Sequence, residues 1–543
     1  CLCKESGKRE SGIYQLSVPT GGGKTLSSLR YALEHARKYN KDRIFYIIPF
    51  ITITEQNAKE IKDILGREDI VLEHHSNVVI DNNDEDYKLL TERWESPIIF
   101  TTMVQFMNTL FEGGTQSIRR LHNLANSVII FDEIQTLPIK SVHLFNNAIN
   151  FLSYICNASV VLCTATQPLL EITDKPVKLC ENPNIVPDIY KRFEQFKRVE
   201  LKDKTINGGY SIDLLKDFIT EKSESSKSIL VIVNTKSVAR NLFERLNKIM
   251  DTIEKGKKCT LFHLSTNMCP INRLDVLKKM KEKLGKERLI CVSTQLVEAG
   301  VNISFECVIR SLAGMDSLSQ AAGRCNRHGE SSCKEAYIVN INEENIDKLL
   351  DIKTGQDKTL RVLYEFKENP AHFEYDLLSQ KTMDTYYKYY FHERKPEMDY
   401  CLAGEYKGKA LYDILAANDV GREAYYGRNG RNPEAILRQA FKTAGRSFSF
   451  IDQNTTAILV PYGKGKELIT KLNGVCSLSD LKVCLREAQH YIVNLYDTDR
   501  RKLEKINAIT KLANGDILAL KESFYDEEIG ISFEKLPMEF YEY

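Results

Sequence analysis

The fold is decided by the stretch Val18-Pro19-Thr20-Gly21-Gly22-Gly23-Lys24-Thr25, which follows the mostly apolar run 13–18 and precedes a helical pattern at 26–39. Glycine lets the backbone turn tightly and bring several N–H groups close to anionic oxygens. A strand, such a loop and a helix N-terminus in that order form an anion site. Lys24 is expected to reach the β- and γ-phosphates of a nucleotide, and the Thr25 hydroxyl is expected to bind Mg²⁺. The predicted nucleotide-binding residues of this segment are Thr20, Gly21, Gly22, Gly23, Lys24 and Thr25.

Two carboxylates follow a second apolar run. Asp132 and Glu133 come directly after residues 127–131, which are typical of a buried strand in a parallel sheet. Open α/β sheets bind ligands at the carboxyl ends of their strands. Asp132 is therefore expected to hold Mg²⁺, and Glu133 is expected to orient and deprotonate an attacking water. A solvated acidic turn is the alternative, and the phosphate loop upstream disfavours it.

A third segment supplies positive charge. It reads Gln320-Ala321-Ala322-Gly323-Arg324-Cys325-Asn326-Arg327. Hydrolysis of ATP builds charge on the γ-phosphoryl oxygens, and an arginine inserted there accelerates related reactions by about 10³–10⁵. Arg327 is predicted to be this arginine, with Arg324 beside it on one face of a helix and Gln320 also facing the nucleotide. A solvated basic helix is the alternative. The prediction places ATP between two distant regions of the chain.

The order of apolar runs predicts two α/β lobes and then a change of character. Five strand-like runs alternate with helical patterns before about residue 187, and five more follow. The predicted strands are 13–18, 43–48, 97–101, 127–131, 159–163, 228–233, 260–264, 288–293, 307–311 and 336–340. Such alternation predicts parallel sheets with helices on both faces. The polar stretch 181–207 is predicted to cross between the lobes, and the chain beyond 342 is mostly helical in character. The predicted domains are 1–190, 191–342, 343–435 and 436–543.

Bulk composition excludes several classes of protein. Apolar residues make up 43 % and charged residues 27 % of the chain, and no run approaches the roughly 18 apolar residues needed to span a bilayer. The fourteen cysteines form no Cys-x-x-Cys pair, which favours small buried side chains in a reducing cytoplasm over zinc ribbons or disulfides. Because the net charge is only +1, contacts with a nucleic acid must be local.

One local segment has the composition for such contacts. Residues 421–446 contain six basic and two acidic residues, with Tyr425, Tyr426 and Phe441 interleaved. Aromatic rings and arginines can stack on bases and hold the phosphates of a single strand. A basic surface loop over a small core is an equally good interpretation.

These motifs together resemble those of superfamily 2 helicases. More narrowly, the sequence is similar to the CRISPR-associated helicase–nuclease family of type I systems ("Cas-three"), close to subtype C. The likeness covers about residues 13–340, and the matching segments are 18–25, 48–57, 131–138, 293–301 and 319–329. It implies two tandem RecA-like parallel-sheet lobes followed by a mainly helical linker and a small C-terminal domain.

The resemblance implies an ATP-driven enzyme that acts on single-stranded DNA with a crRNA-guided surveillance complex. Such an enzyme would reel in the displaced strand 3′ to 5′ while a metal-dependent HD nuclease domain cuts it. None of the ten histidines is followed by Asp, so this sequence does not show the His-Asp motif of that nuclease domain. We expect that the nuclease domain either belonged to the same chain and was removed, or is a separate chain. No nuclease activity is expected from this sequence. His74 and His75 are not accompanied by a set of carboxylates that would complete a metal site, so they are not expected to bind a metal.

The resemblance also implies further site residues. Gly300 and Asn302 are expected near the nucleotide, and Asn302 stands where the family commonly has Asp, which predicts weaker coupling because the charge is missing. Hydroxyls and amides can hold phosphates without reading bases. The DNA-binding candidates are Thr101, Thr102, Gln105, Ser293, Thr294 and Gln295. For the pair 101–102, a helix N-cap is an equally good interpretation. The segment Thr164-Ala165-Thr166 is expected to couple the ATP state to the grip on the strand.

Three alternatives remain open at this point. A double-strand DNA translocase of a restriction-type system would respond to duplex without separating strands. An RNA helicase would prefer RNA as stimulant. A catalytically silent scaffold is disfavoured by the intact Lys24, Asp132, Glu133, Arg324 and Arg327.

Overall fold

The structure is an α/β protein with two six-stranded parallel sheets. The computed structural model describes residues 2–19, 22–75, 85–187, 196–250, 259–298, 300–403, 406–434, 438–451, 455–474, 478–512 and 517–536. The two sheets, followed by helices and a smaller sheet, confirm the predicted fold class.

Two compact units divide the chain. The first unit contains residues 1–197 and 365–452, and the second contains 198–364 and 453–543. Each unit therefore combines one parallel sheet with a segment from the C-terminal half of the sequence. The division into four consecutive domains stays a prediction.

The first sheet has the strand order β1-β6-β5-β2-β4-β3, and all of its pairs are parallel. Its strands are β1 (Ile13–Ser17), β2 (Arg43–Ile48), β3 (Val71–His74), β4 (Ile98–Thr102), β5 (Ser127–Asp132) and β6 (Ser159–Thr164). The strands β1, β5 and β6 are buried along their whole length, because helices cover both faces of a parallel sheet.

The second sheet repeats this arrangement in the order β7-β12-β11-β8-β10-β9. Its strands are β7 (Val199–Asp203), β8 (Ser228–Ile232), β9 (Thr260–Leu264), β10 (Leu289–Ser293), β11 (Cys307–Ser311) and β12 (Lys334–Val339). The second unit also contains a four-stranded sheet and a short hairpin. Their strands are β13 (Thr455–Leu459), β14 (Ile492–Tyr496), β15 (Ile509–Leu512), β16 (Ile517–Leu520), β17 (Tyr525–Asp526) and β18 (Gly530–Ile531).

Helices connect these strands, and further helices lie in the sequence between β12 and β13. Those up to β6 are α1 (Leu2–Ser6), α2 (Lys24–Tyr39), α3 (Ile51–Leu65), α4 (Glu85–Arg93), α5 (Met103–Phe111), α6 (Thr115–Leu121) and α7 (Val142–Tyr154). Those around the second sheet are α8 (Ile212–Ser225), α9 (Lys236–Met250), α10 (Pro270–Lys283) and α11 (Met315–Ala322). The remainder are α12 (Leu350–Glu368), α13 (Gln380–Arg394), α14 (Leu411–Leu415), α15 (Asp419–Asn429), α16 (Phe441–Ser447), α17 (Gly465–Asn473), α18 (Leu478–Ala488) and α19 (Asp497–Lys505).

All ten strands predicted in the two lobes are present, each within two residues of its predicted bounds. The sequence pattern missed β3 and β7, each of which lies at one edge of its sheet. Both strands are only partly buried, so their apolar signal is short. The strand β7 lies inside the stretch that we predicted to be only a crossing, and the burial of its residues alternates where that of a central strand is continuous.

The register of the first sheet brings its three motifs together. Ser17, the last residue of β1, pairs with Thr164 on β6, and Asp132 on β5 pairs with Cys163. Since β6 lies between β1 and β5, the phosphate loop, the Thr164 segment and the two carboxylates leave adjacent strands at the same edge.

Two further observations bear on composition. In the part of the chain that the structure describes, no helix is both long and apolar enough to cross a bilayer. The twelve cysteines within that part are all free thiols.

Candidate nucleotide-binding site

The phosphate loop closes with a tight turn and opens directly into a helix. The Gly22 N–H donates to the Pro19 carbonyl at 2.9 Å, and a Cβ at Gly22 would lie only 2.6 Å from Val18 Cγ1. Gly23 has a left-handed φ of 76°, and α2 begins at the next residue with no acidic side chain in its first turn. The helix N-terminus thus presents backbone N–H groups that no side-chain cap satisfies, which favours an anion. Thr20 and Gly21 lie outside the described residues.

Lys24 lies against both predicted catalytic carboxylates. Its Nζ pairs with Glu133 Oε1 and lies 3.7 Å from Asp132 Oδ1, and all three side chains are largely buried. Burial lowers the pKa of Lys24, but Glu133 and Asp132 together raise it above the ordinary lysine value. Burial raises the pKa of Asp132 to about 6, an effect that Lys24 opposes and Glu133 reinforces. One cation therefore balances two anions, and the cluster keeps a net negative charge.

A polar chain runs from Glu133 to the Thr164 segment. Glu133 adopts a left-handed conformation with φ 51°, which turns its side chain out of line with the strand. Gln135 Nε2 donates to Glu133 Oε2 at 2.6 Å, and Thr164 Oγ1 donates to Gln135 Oε1 at 2.5 Å. Thr164 Oγ1 also accepts from the Thr166 N–H at 3.0 Å. The network of polar contacts that fixes Glu133 thus depends on Gln135, to which the sequence alone assigned no role.

The residues at this edge suit Mg²⁺ bound together with phosphates. Thr25 follows Lys24 in the first turn of α2, and Asp132 ends the neighbouring carboxylate-bearing strand. Mg²⁺ prefers hard oxygen ligands and is usually bound by one or two protein groups plus substrate phosphates and water. Within the described ranges, no cluster of three His, Cys, Asp or Glu side chains could hold a metal without such help. The Thr25 hydroxyl and the Asp132 carboxylate fit a Mg²⁺ that is also bound by the phosphates of a nucleotide and by water.

The arginines of the third segment do not share a helix face, so that expectation was wrong. The helix α11 ends at Ala322, and Gly323 is its C-cap. Cys325 then forms a bridge with Phe305, and Asn326 has a φ of 46°. Because the chain leaves the helix and pairs with an extended segment, Arg324 and Arg327 point from a turn.

The two arginines also differ in environment. Arg324 is buried, and its Nε donates to the Val297 carbonyl at 2.9 Å while its Nη2 donates to the Glu298 carbonyl. Arg327 is half-buried, and its N–H donates to Ser304 Oγ at 2.9 Å. Arg324 therefore holds the loop after β10 in place, which is a structural role, and Arg327 remains the better candidate for contact with a phosphate.

A buried ion pair that the sequence analysis did not single out lies beneath this turn. Arg310 Nε and Glu298 Oε1 are 2.7 Å apart, with side chains only 2 % and 7 % exposed. Ser317 on α11 bridges them, since it donates to Glu298 Oε2 at 2.8 Å and accepts from Arg310 Nη2 at 3.0 Å. Burial raises the pKa of Glu298, although Arg310 opposes this. Arg310 was the sequence signal that could have revealed this pair, because a charged side chain inside an apolar strand must be paired.

We expect Glu298→Gln to destabilise the second unit by about 3–5 kcal/mol, because it leaves the Arg310 charge buried and uncompensated. Urea denaturation followed by circular dichroism measures the change. The exposed pair Lys283–Glu287 on and after α10 provides the control, and Glu287→Gln should cost less than about 1 kcal/mol. Equal costs for the two variants would contradict the assignment. The double variant Glu298→Gln/Arg310→Met should recover part of the loss, because no charge then remains buried.

The candidate DNA-binding residues of the first lobe are mostly engaged within the protein. Thr101 is buried and donates to the His74 carbonyl at 2.9 Å. Thr102 caps α5 by accepting from the Gln105 N–H at 3.3 Å, which confirms the N-cap interpretation for Thr102. Gln105 Oε1 accepts from Arg120 Nη1 at 3.1 Å. A role in DNA binding stays a prediction for these three residues.

The remaining candidates lie in the second unit. Ser293 and Thr294 are buried at the end of β10, and Ser293 Oγ donates to the Thr294 carbonyl at 2.9 Å. Gln295 and Gln320 are half-buried, and Asn302 is exposed. Gly300 has a left-handed φ of 80°. The structure thus brings Lys24, Asp132, Glu133 and Thr164 together in one unit, and the roles of the second-unit residues stay predictions.

Comparison with known families agrees with this geometry. Residues 10–174 match the model of the DEAD/DEAH box helicase family, and residues 225–330 match that of the CRISPR-associated nuclease/helicase Cas3, C-terminal. The first of these segments is thus similar to DEAD/DEAH box helicases, and the second to the C-terminal part of Cas3. The resemblance found from the motifs is therefore confirmed, whereas the placement near subtype C stays a prediction.

The individual relatives of the chain are distant. It is 24 % identical over 429 residues to the CRISPR-associated nuclease/helicase Cas3 of Haloferax volcanii, a match that covers 60 % of this chain and 46 % of the relative. It is 23 % identical over 478 residues to that of Methanothermobacter thermautotrophicus, covering 80 % and 53 %. The chain spans about half the length of the curated relatives that it matches.

Solved structures share the fold. The crystal structure of T. fusca Cas3-ATP superimposes with a TM-score of 0.66 at 14 % identity, covering 98 % of this chain and 70 % of that one. A chain of a structure described as "CRISPR RNA-guided surveillance complex, pre-nicking" gives a TM-score of 0.59 at 14 % identity, covering 99 % and 67 %. At this identity the likeness concerns the fold, and it supports the assignment of two RecA-like lobes.

Proposed function

We propose that this Cas3-like chain is an ATP-driven motor that translocates along single-stranded DNA and unwinds target DNA in CRISPR type I interference. One observation carries the proposal: Lys24, at the start of a helix that follows a glycine turn, contacts both carboxylates at the end of a neighbouring strand. A lysine so placed can exchange its carboxylate partners for the phosphates of ATP.

The exchange gives a chemical reason for ATP-dependent activation. Before ATP binds, Lys24 is paired with Glu133 and neutralises the group proposed as the base. A triphosphate attracts Lys24 more strongly than a single carboxylate does, so its binding frees Glu133 Oε1 to accept a proton from the attacking water. Gln135 keeps hold of the other carboxylate oxygen, so Glu133 stays oriented.

Mg²⁺ would be bound by Thr25 and Asp132 and would neutralise charge on the phosphates. Asp132 is suited to this, because its carboxylate is buried and only partly compensated by Lys24. Gln135 and Thr164 extend the contact from Glu133 to the segment 164–166, which we propose as the coupling between hydrolysis and DNA grip.

The proposed partners follow from the relatives. The curated relatives are named nuclease/helicases, and one structural neighbour is described as part of an RNA-guided surveillance complex. We propose a crRNA-guided surveillance complex as the protein partner and an HD nuclease domain, in cis or in trans, as the partner activity. Both would act on the strand that the motor moves.

The test is ATP hydrolysis by the chain with single-stranded DNA, duplex DNA or RNA of the same length and sequence. Strong stimulation by single-stranded DNA, together with displacement of a labelled strand from a tailed duplex, is the expected result. Stimulation by blunt duplex without strand displacement would favour a double-strand translocase, and preference for RNA would favour an RNA helicase. Absence of hydrolysis under every condition would leave only the scaffold interpretation.

A further inference from the structure

The helix α15 is unusual because it buries none of its own side chains. Most surface helices pack an apolar stripe on a core, and a helix without one needs another reason to persist. Here both ends are fixed. Asn418 caps the start by accepting from the Gly421 N–H at 3.3 Å, and its amide donates to the Arg438 carbonyl at 2.6 Å. At the other end, the left-handed Gly430 donates to the Tyr426 carbonyl.

The backbone of the next helix, α16, is hydrogen-bonded to the loop between α5 and α6. The Gly445 carbonyl accepts from the Gly113 N–H at 2.9 Å, and a Cβ at Gly445 would lie 2.6 Å from Gly113 Cα. Two glycines are therefore needed for this close approach. The opposite side of α16 is free of the core: Phe441 is 67 % exposed, and Lys442 and Arg446 are exposed. This side of α16 therefore faces solvent.

The segment 419–446 carries a net positive charge, with six basic residues against three acidic ones. Between 419 and 446, the one ion pair among the described residues is Arg422–Asp419 at 2.7 Å. Arg428, Arg431, Lys442 and Arg446 are all exposed, and Tyr426 is 55 % exposed. Positive side chains interleaved with exposed rings match the two surfaces of a single strand, namely its phosphates and its base faces.

We propose that a basic–aromatic platform of the first unit, defined as Tyr426, Arg428, Arg431, Phe441, Lys442 and Arg446, binds single-stranded DNA. The inference rests on the proposed action on DNA and adds a binding surface to it. It also accounts for an otherwise unexplained feature of the predicted contacts, because Thr101, Thr102, Ser293 and Thr294 are buried whereas the platform is exposed. Residues 419–429 and 441–447 are helical, so much of this segment is helix and not loop.

The test measures how binding depends on salt. The full chain binds a fluorescent oligo-dT without nucleotide at 50–200 mM KCl, and anisotropy gives the dissociation constant. Each lost phosphate contact lowers the slope of log K against log salt by about 0.7 for single strands. The variant Arg428→Gln/Arg431→Gln/Arg446→Gln should therefore lower the slope by about 2 and leave hydrolysis without DNA unchanged. A second variant, Tyr426→Ala/Phe441→Ala, should weaken binding about tenfold or more at an unchanged slope, because stacking is lost but not charge.

The matched control removes three exposed lysines from α10 in the other unit, as Lys278→Gln/Lys279→Gln/Lys281→Gln. It changes net charge equally and should leave the slope unchanged. If the wild-type chain binds DNA and the platform variant keeps the wild-type slope, the platform proposal is wrong while the motor proposal stands. If the wild-type chain neither binds DNA nor is stimulated by it, the motor proposal itself fails. Tighter binding of oligo-rU with the same loss in the platform variant would overturn the assignment to DNA.

Discussion

Replacement of Lys24 by alanine will abolish DNA-stimulated ATP hydrolysis and leave the protein folded. Loss of a single preorganised charge-stabilising donor typically costs about 10²–10³ in rate, and Lys24 also has to leave Glu133 before that carboxylate can act as a base. Glu133 keeps its contact with Gln135 and Asp132 keeps its contact with the Glu133 N–H, so neither carboxylate is left without a partner. Steady-state phosphate release with and without single-stranded DNA measures the effect.

Lys38→Ala is the control on the same helix, because Lys38 is exposed at its far end and lies away from both carboxylates. It should retain wild-type hydrolysis. Thermal melting separates a chemical loss from an unfolded variant, and Mg²⁺ should raise the melting temperature of Lys24→Ala more than that of the wild type, because the two carboxylates then lack their cation. Turnover retained by a folded Lys24→Ala protein would remove the basis for the proposed site.

Arg327→Ala is expected to reduce the turnover number by about 10³–10⁵ while ATP affinity changes far less. The reason is that charge on the γ-phosphoryl oxygens grows in the transition state, so an arginine at that position stabilises the transition state more than bound ATP. Rapid-quench single turnover gives the chemical rate, and binding of a fluorescent ATP analogue gives the affinity.

Two further variants make this experiment specific. Arg327→Lys keeps the charge but loses the planar fork, so partial recovery is expected. His328→Ala changes the exposed neighbour and should have little effect. A large loss of affinity with normal turnover would assign the finger to another residue. Arg324 is a poor substitute, because its guanidinium is committed to the carbonyls of Val297 and Glu298.

Much of the candidate site could be predicted because its motifs are local. Glycines that permit a tight turn, a lysine at the start of a helix and carboxylates at the end of an apolar run each carry their meaning within a few residues. The same holds for the central strands, whose apolar runs are continuous. The edge strand β7 was missed for the opposite reason, since its burial alternates and its composition resembles that of a linker.

What could not be predicted are contacts between residues far apart in sequence. Gln135 lies in a recognised motif, but its place between Glu133 and Thr164 depends on how β5 and β6 pair. Arg324 and Arg327 looked equivalent at a helical spacing, yet the pairing of Cys325 with Phe305 ends the helix and separates their environments.

The sequence by itself determined the two parallel-sheet lobes and the chemical groups available for phosphate chemistry. These follow from backbone preferences and apolar periodicity, which act over short distances. Only the tertiary structure decided which carboxylate Lys24 contacts, that Arg310 and Glu298 form a buried pair, and that α15 fully buries none of its side chains. Strand order and side-chain burial fix those features, and both depend on the whole chain being packed.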